Sequence, residues 1–474
     1  MLFTSFTYAG FLALAFGLYW LLARKGRIWQ NALLLLASYG FYAVWDWRFL
    51  GLILLSSATD YFAGLRISAS NSPSSRKKWL WLSLTVNLGI LGLFKYFDFF
   101  LGSFQSLMET LGVQANLPTL AFILPVGISF YTFQTLSYTL DVYRGKLDAC
   151  KDPLRFFTFV AFFPQLVAGP IERASSLLPQ LAQVKAFDAK QAGDGLRLIL
   201  WGLFQKIVLA DQLARWVNPI YASPEQVSGP WLLLATGAFA LQIYGDFAGY
   251  SNIAIGSAKL LGINLMTNFQ QPYFATSIRG FWSRWHISLS TWFRDYVYIP
   301  LGGNQVSHRR WQGNILLTFL VSGLWHGANW TFVIWGGIHG LAYLVEAASK
   351  SWNQIIPKGI SWIATLFVVV LAWLFFRAEN LGHAWEIIAG FGKGWNQGLR
   401  LPAGIEFPTI REGWLLLSSL GLFWLLSALR NQAIYQQWLT GPSGYRWASY
   451  WALIAWIAIF GAYEGPEPFI YFQF

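Results

Sequence analysis

Long apolar runs separated by short polar and basic stretches set the pattern of this chain. A helix needs about 20 apolar residues to cross a bilayer. Leu2–Ala23 meets that length, Trp29–Trp45 and Phe49–Leu65 are shorter crossings, and a fourth runs from Trp79 to Leu107. Leu120–Leu140 is a fifth, ending at Asp141-Val142-Tyr143-Arg144. Further crossings fall near 195–216, 230–255, 313–330, 331–347, 361–376, 413–429 and 447–463. The pattern predicts an all-α polytopic membrane protein with roughly ten to twelve crossings. Phe156–Pro170 is apolar but short and interrupted by Pro and Gly. It reads as a re-entrant or interfacial piece, which needs its backbone buried in protein or lining a wet cavity. Residues 171–190 form a polar loop. No repeat, low-complexity tract or long linker divides the chain. One membrane domain over 1–474 is expected, with N-terminal helices in 1–118, a core in 119–350 and C-terminal helices in 351–474.

Composition sharpens this picture. The 474 residues are 55% hydrophobic and only 11% charged, with a mean hydropathy of +0.44. Soluble domains carry about 25% charged residues, so this chain relies on lipid to solvate its outer face. The net charge of +12 would suggest nucleic acid in a soluble protein. Here the basic residues cluster between apolar segments, as in Arg24-Lys25-Arg27, Arg76-Lys77-Lys78 and Arg309-Arg310. That is the placement of cytoplasmic loops under the positive-inside rule, and no nucleic-acid partner is expected. Residues 1–23 hold no charge and the first basic cluster follows them, the reverse of a signal peptide. The first helix is expected to be permanent, with its N-terminus outside. Asp60, Lys95 and Asp98 fall in or near crossings and should face protein or snorkel. The single cysteine, Cys150, excludes an intrachain disulfide and a cysteine-based zinc site.

Phe281–Tyr296 departs from the apolar pattern. Wound as one helix, it puts Trp282, Trp285, Leu289, Phe293 and Tyr296 on one face and Arg284, Ser288, Thr291 and Asp295 on the other. Such an amphipathic helix belongs in the interface or along a funnel. The chemistry rests on few groups. The five histidines are His286, His308, His326, His339 and His383. His326 stands within the apolar run Leu316–Ile338, and helical spacing would align it with Ser322 and Asn329 in a polar stripe. An imidazole with its ordinary pKa near 6.5 takes a proton from a hydroxyl. A core histidine satisfied by a neighbouring carbonyl is the competing reading, and both stand. His286 borders the amphipathic segment one turn from Ser290; it either orients a substrate or is an interfacial residue with a wet tip. His339 follows Gly336-Gly337, and His308 and His383 lie in or near loops, so these three read as structural. No histidine pair has metal-ligand spacing such as HExxH, and no metal is expected. The Gly323/Gly327 and Gly336/Gly340 pairs fit close helix packing.

These residues carry a resemblance. The string from Phe281 through Trp285, His286 and Ser290 to Arg294, Asp295 and Tyr296 continues into Tyr298-Ile299-Pro300-Leu301-Gly302-Gly303-Asn304. With Gly323-Leu324-Trp325-His326-Gly327-Ala328-Asn329-Trp330, it resembles the membrane-bound O-acyltransferase family. The nearest likeness is to the bacterial alginate O-acetylation branch, of which the D-alanine exporters are relatives. The strings Pro164–Ile171, Tyr244–Ser251 and Phe469–Phe474 fit as well, so the likeness covers essentially the whole chain. The resemblance implies a ring of tilted helices around a central funnel, with 119–350 as catalytic core, and an acetyl group carried across the membrane to O-acetylate an extracytoplasmic polysaccharide such as alginate. His326 would be the catalytic base and His286 its catalytic partner, with Asn329, Ser290, Arg284, Arg294 and Trp325 binding or orienting substrate. No bound cofactor is implied; the donor would be acetyl-CoA or an acyl-carrier thioester arriving from the cytoplasm. The implied partners are the lipid bilayer, a periplasmic acetyltransferase and the polysaccharide acceptor, at the inner membrane. D-alanyl or other acyl transfer to a wall polymer, a transporter, and an export scaffold are the alternatives.

Overall fold

The computed structural model describes residues 1–114, 117–120, 122–167, 169–349, 356–400, 408–429, 443–463 and 468–472. Among them there are helices, turns and loops but no strand. Helical stretches long and apolar enough to cross a membrane are Phe6–Ala23, Arg27–Ala69, Pro73–Thr110, Gly229–Leu260, Trp330–Ala348, Lys358–Arg377 and Arg411–Leu429. Arg27–Ala69 runs for 43 residues, twice what a bilayer needs. It breaks at a 3₁₀ turn, Trp47–Phe49, into two helices of 20 residues each. Asp46 makes the corner: its backbone is extended and its carboxylate accepts from the Arg48 N–H. These are the second and third crossings of the hydropathy pattern. Leu14, Leu36, Phe62, Trp81, Ile363 and Phe367 are exposed on such helices, an outward apolar coat suited to lipid.

Two compact units make up the chain. The first comprises 1–196, 254–267 and 294–296. Its buried polar centre is Asp60, fully enclosed, which accepts hydrogen bonds from Ser83, from Asn87 at 2.9 Å and from Thr139 at 3.0 Å. The expectation that Asp60 faces protein is met. Asp98 accepts from the Leu120 N–H at 2.9 Å. The fifth crossing needs correction: 117–120 and 122–127 are not helical, and the helix begins at Ile128. Pro118 and Pro125 withhold N–H donors there, and Gly127 turns the chain with a φ of 75°. Phe156–Pro170 holds two short helices, Pro153–Ala161 and Phe163–Leu166, with Phe159, Phe162 and Phe163 fully buried; Ala168 lies outside the described residues.

The second unit comprises 197–253, 268–293 and 297–474. Helices His308–His326 and Trp330–Ala348 form a tight hairpin. Glycines make the approach possible: a methyl on Gly323 would strike the Phe332 carbonyl, and one on Gly336 the Phe319 carbonyl. Packing is thus the use of this small-residue pattern. The crossing expected over 313–330 stops earlier than its apolar run. His326 is the last helical residue, and Gly327 is extended. One long helical stretch, 189–222, contains a π-helical segment at Phe204–Ala210.

Candidate active site

His326 ends its helix inside an aromatic cage. Its imidazole centroid lies 5.0 Å from Trp325, 4.9 Å from Trp335, 5.5 Å from Phe376 and 5.5 Å from Tyr471. Only 2% of the residue is exposed. Sequence placed His326 and His286 forty residues apart; the fold brings their rings to 6.3 Å between centroids. Phe247 packs edge-on against His286 at 4.6 Å, and Tyr471 stands 6.4 Å from it. Both imidazoles therefore share one enclosed, largely apolar space.

The segment carrying His286 is not the single amphipathic helix expected over Phe281–Tyr296. It is three pieces: an α-helix Ile278–Trp282, an α-helix Ile287–Phe293 and a π-helical turn Arg294–Tyr298. The interruption has a hydrogen-bonding cause. The Arg284 carbonyl accepts from the Gln270 N–H, and the Ile287 N–H donates to the Asn268 carbonyl. Backbone groups that would continue the helical ladder are given to 268–270. At the break His286 adopts a φ of 42°, a left-handed conformation uncommon outside glycine and often found at functional sites. Ser288, assigned to the polar face, is fully buried.

Asn268 controls the His286 ring. Its side-chain oxygen lies 3.1 Å from His286 Nδ1 and accepts from Ser288 Oγ at 2.9 Å, while its amide nitrogen donates to Ser251 at 3.2 Å. An amide oxygen only accepts, so Nδ1 carries the proton and Nε2 holds the lone pair. Burial pushes the His286 imidazole down to about 3. The ring is neutral at physiological pH, with one donor nitrogen satisfied and one nitrogen basic.

The other expected site residues divide. Trp325 belongs to the cage, 3% exposed and 6.1 Å from the His286 ring. Asn329 does not share a helical stripe with His326, because the helix ends between them. It caps the next helix instead, accepting from the Thr331 N–H at 3.0 Å and donating to the Glu379 carbonyl at 2.7 Å. Ser290 donates to the Trp285 carbonyl at 3.2 Å, so its hydroxyl is spent on the local backbone. Arg284 is half-buried. Arg294, exposed, belongs to the first unit and pairs with Asp295 at 2.7 Å. His339 is fully buried and receives the Trp282 indole N–H at 3.4 Å; His383 accepts from the Glu379 N–H at 3.3 Å, and His308 stacks on Trp311. Asn268, Trp335, Phe376 and Tyr471 were not singled out by sequence. Only Tyr471 stood in a string that carried the resemblance; the others join the site through distant chain contacts. The indole nitrogen of Trp335 is buried and has no hydrogen-bond partner among the described residues.

Comparison with known proteins fits this arrangement. The profile of the membrane-bound O-acyltransferase family matches residues 79–382, which include both histidines. The chain is 42% identical over 383 residues to the probable alginate O-acetylase AlgI of Azotobacter vinelandii, covering 80% of this chain and 75% of that protein. It is 36% identical over 396 residues to the peptidoglycan O-acetyltransferase of Helicobacter pylori, covering 77% and 74%. A more distant relative is the teichoic acid D-alanyltransferase of Bacillus subtilis, 28% identical over 261 residues, or 52% and 65% of the two chains. A transporter or a passive scaffold is not what these relatives are. With its apolar helices and its family profile, the chain is a multi-pass membrane enzyme, and it belongs to the membrane-bound O-acyltransferase family.

Proposed function

We propose that this enzyme moves an acetyl group from a cytoplasmic thioester, acetyl-CoA or an acyl carrier, to a hydroxyl destined for an extracytoplasmic polysaccharide such as alginate, with His326 as general base. The observation that carries the reading is the meeting of two buried imidazoles in one aromatic cage. In that cage His326 takes the proton of the acceptor hydroxyl as its oxygen bonds to the thioester carbonyl carbon. Collapse of the adduct breaks the carbon–sulfur bond, and the proton passes to the departing thiolate. General-base help of this kind is worth about 10²–10⁴-fold. His286, neutral and fixed by Asn268, orients the reacting groups. Arg284 and Arg294 favour an anionic donor approaching from the cytoplasm.

The chain sits in the inner membrane with its N-terminus outside the cytoplasm, a topology supported by the basic clusters at 24–27 and 76–78. A periplasmic acetyltransferase partner completes transfer to the polymer. The relatives named for alginate support acetyl as the group and polysaccharide as the destination. The peptidoglycan and teichoic acid relatives favour a wall polymer as the second reading. The test is ester-linked acetate on the host's extracellular polysaccharide, comparing wild type with His326→Ala at matched membrane levels. Acetate should disappear while the protein stays monodisperse. Unchanged acetate sinks the assignment of His326; acetate on a wall polymer instead selects the second reading.

A further inference from the structure

The second unit holds another buried polar cluster that the acyl-transfer chemistry does not use. Lys206, on the π-helical segment Phe204–Ala210, places its Nζ 2.5 Å from Asp211 Oδ1 and 2.6 Å from Asp246 Oδ1. The three side chains are 1%, 3% and 4% exposed. Nζ also lies 5.6 Å from the Tyr250 ring. A cavity of about 20 Å³, lined in part by Lys206, Asp246, Gln242, Arg377 and Ile470, adjoins the cluster. That is room for about one water.

Asp246 has a second engagement. Its other oxygen, Oδ2, accepts from the backbone N–H of Ile470 at 2.8 Å. Ile470 opens the short 3₁₀ turn Ile470–Phe472. The residue before it, Phe469, is fully buried against Tyr250 at 4.6 Å and Phe247 at 5.5 Å. The residue after it, Tyr471, packs on Phe247 at 4.5 Å and forms one wall of the cage around His326. A carboxylate offers two acceptor oxygens on one carbon, and here each has its own partner. An amide offers one acceptor and two donors, so Asn at this position would turn an N–H toward either Lys206 or Ile470. Lys206 would keep Asp211 whatever stands at 246, so the ammonium would not lose its counter-charge. The residue of consequence for the tail is therefore Asp246.

We propose that Asp246 is a positioning residue for acyl transfer: braced by Lys206, it pins segment 468–472 so that Tyr471 completes the aromatic cage of the catalytic histidine. This rests on the reading of His326 as the reacting centre. Two measurements test it in full-length protein. Carboxypeptidase trimming past Phe472, followed by intact mass in detergent, reports release of the tail. Ester-linked acetate on the extracellular polysaccharide at matched membrane levels reports function. A hydrogen bond to a charged group sets an expected change of about 10- to 100-fold. Asp246→Asn should trim faster by that factor and lose acetate several-fold, while remaining monodisperse. Asp246→Glu, which keeps both acceptors, should retain protection and most of the acetate. Equal trimming in Asp246→Asn overturns the proposal, as does fast trimming with full acetate, or a failure of Asp246→Glu to restore either. The two readings separate cleanly. If His326→Ala keeps acetate while Asp246→Asn loses it with a released tail, the base assignment fails and the anchor stands. The converse pattern removes the anchor alone.

Discussion

Two buried polar clusters in the second unit answer the same physical problem in opposite ways. The histidine cage holds polar groups without ions: His286 is neutral, its Nδ1–H is spent on Asn268, and aromatic rings wall the rest. The Lys206 cluster holds ions outright and neutralises them by contact, one ammonium between two carboxylates at 2.5 and 2.6 Å. A buried charge pair spends most of its attraction on its own desolvation, but removing one partner leaves an uncompensated charge. A neutral imidazole carries no such debt and keeps a lone pair available for reaction. The first design suits chemistry, and the second suits holding structure in place.

The contrast is sharpest in paired substitutions. His326→Ala should lower acyl transfer by about 10²–10⁴-fold while the protein still purifies as a monodisperse species. Lys206→Met should do the reverse. Two carboxylates left facing each other cost about 3–5 kcal/mol, read as a large fall in thermal midpoint in detergent and in recovered folded protein. If Lys206→Met were as stable as wild type, the cluster would not be a structural brace. Asn268→Ala comes next in size. It frees the His286 tautomer and leaves a buried donor unpaired, a loss of about 1–3 kcal/mol, seen as roughly tenfold or more lower transfer; an unchanged rate would remove Asn268 from the site.

A smaller effect follows from pH. The folded His286 sits at about 3 against an ordinary 6.5. The unfolded chain thus takes up a proton near 6.5 that the folded one refuses. The stability is present above about 6.5 and drains away as pH falls from there toward 3. His286→Asn, which tolerates a left-handed backbone, should flatten this acid limb of the melting profile. Glu172, in the first unit, runs the other way. Burial raises it to about 7 against the opposing hydrogen bond from the Met266 N–H. Its contribution is present below 4.5 and is lost as pH rises through about 7. Glu172→Gln should therefore gain on wild type in thermal midpoint as pH rises across that window. The smallest effect is Arg294→Ala: an exposed pair with Asp295 is worth about 0–1 kcal/mol, so stability should hardly move. A clear rise in the donor concentration needed for half-maximal transfer would assign Arg294 to donor binding.

Apolar run length was the readable part of the fold. Leu2–Ala23 became Phe6–Ala23, 361–376 became Lys358–Arg377, and 413–429 became Ile410–Leu429. Burial in lipid or protein needs only composition, which a sequence displays directly. The breaks were hidden. Periodicity runs unbroken through Ser283–His286 and Gly327–Asn329, yet both segments leave the helix. Their causes lie elsewhere in the chain: the backbone of 268–270 in one case, and in the other Gly327 stepping aside for the Phe332 ring. His286 and His326 could be suspected separately because a buried imidazole is costly. Their pairing, and the arrival of Asn268 and Tyr471, depend on contacts that no local pattern encodes.

The π-helical segment at Phe204–Ala210 stores a register. A π turn holds one residue more than the α turn it replaces. Deleting a single residue from that segment would let the helix close into ordinary α geometry with no gap in its backbone bonding. Everything on the C-terminal side of the cut would then rotate by about 100°. Asp211 would swing away from Lys206, and Asp246 would be left to hold the ammonium alone. A lesion silent to hydropathy and to helix content would thereby reach the tail beside the catalytic histidine, so in this enzyme an indel can act as an active-site mutation at a distance.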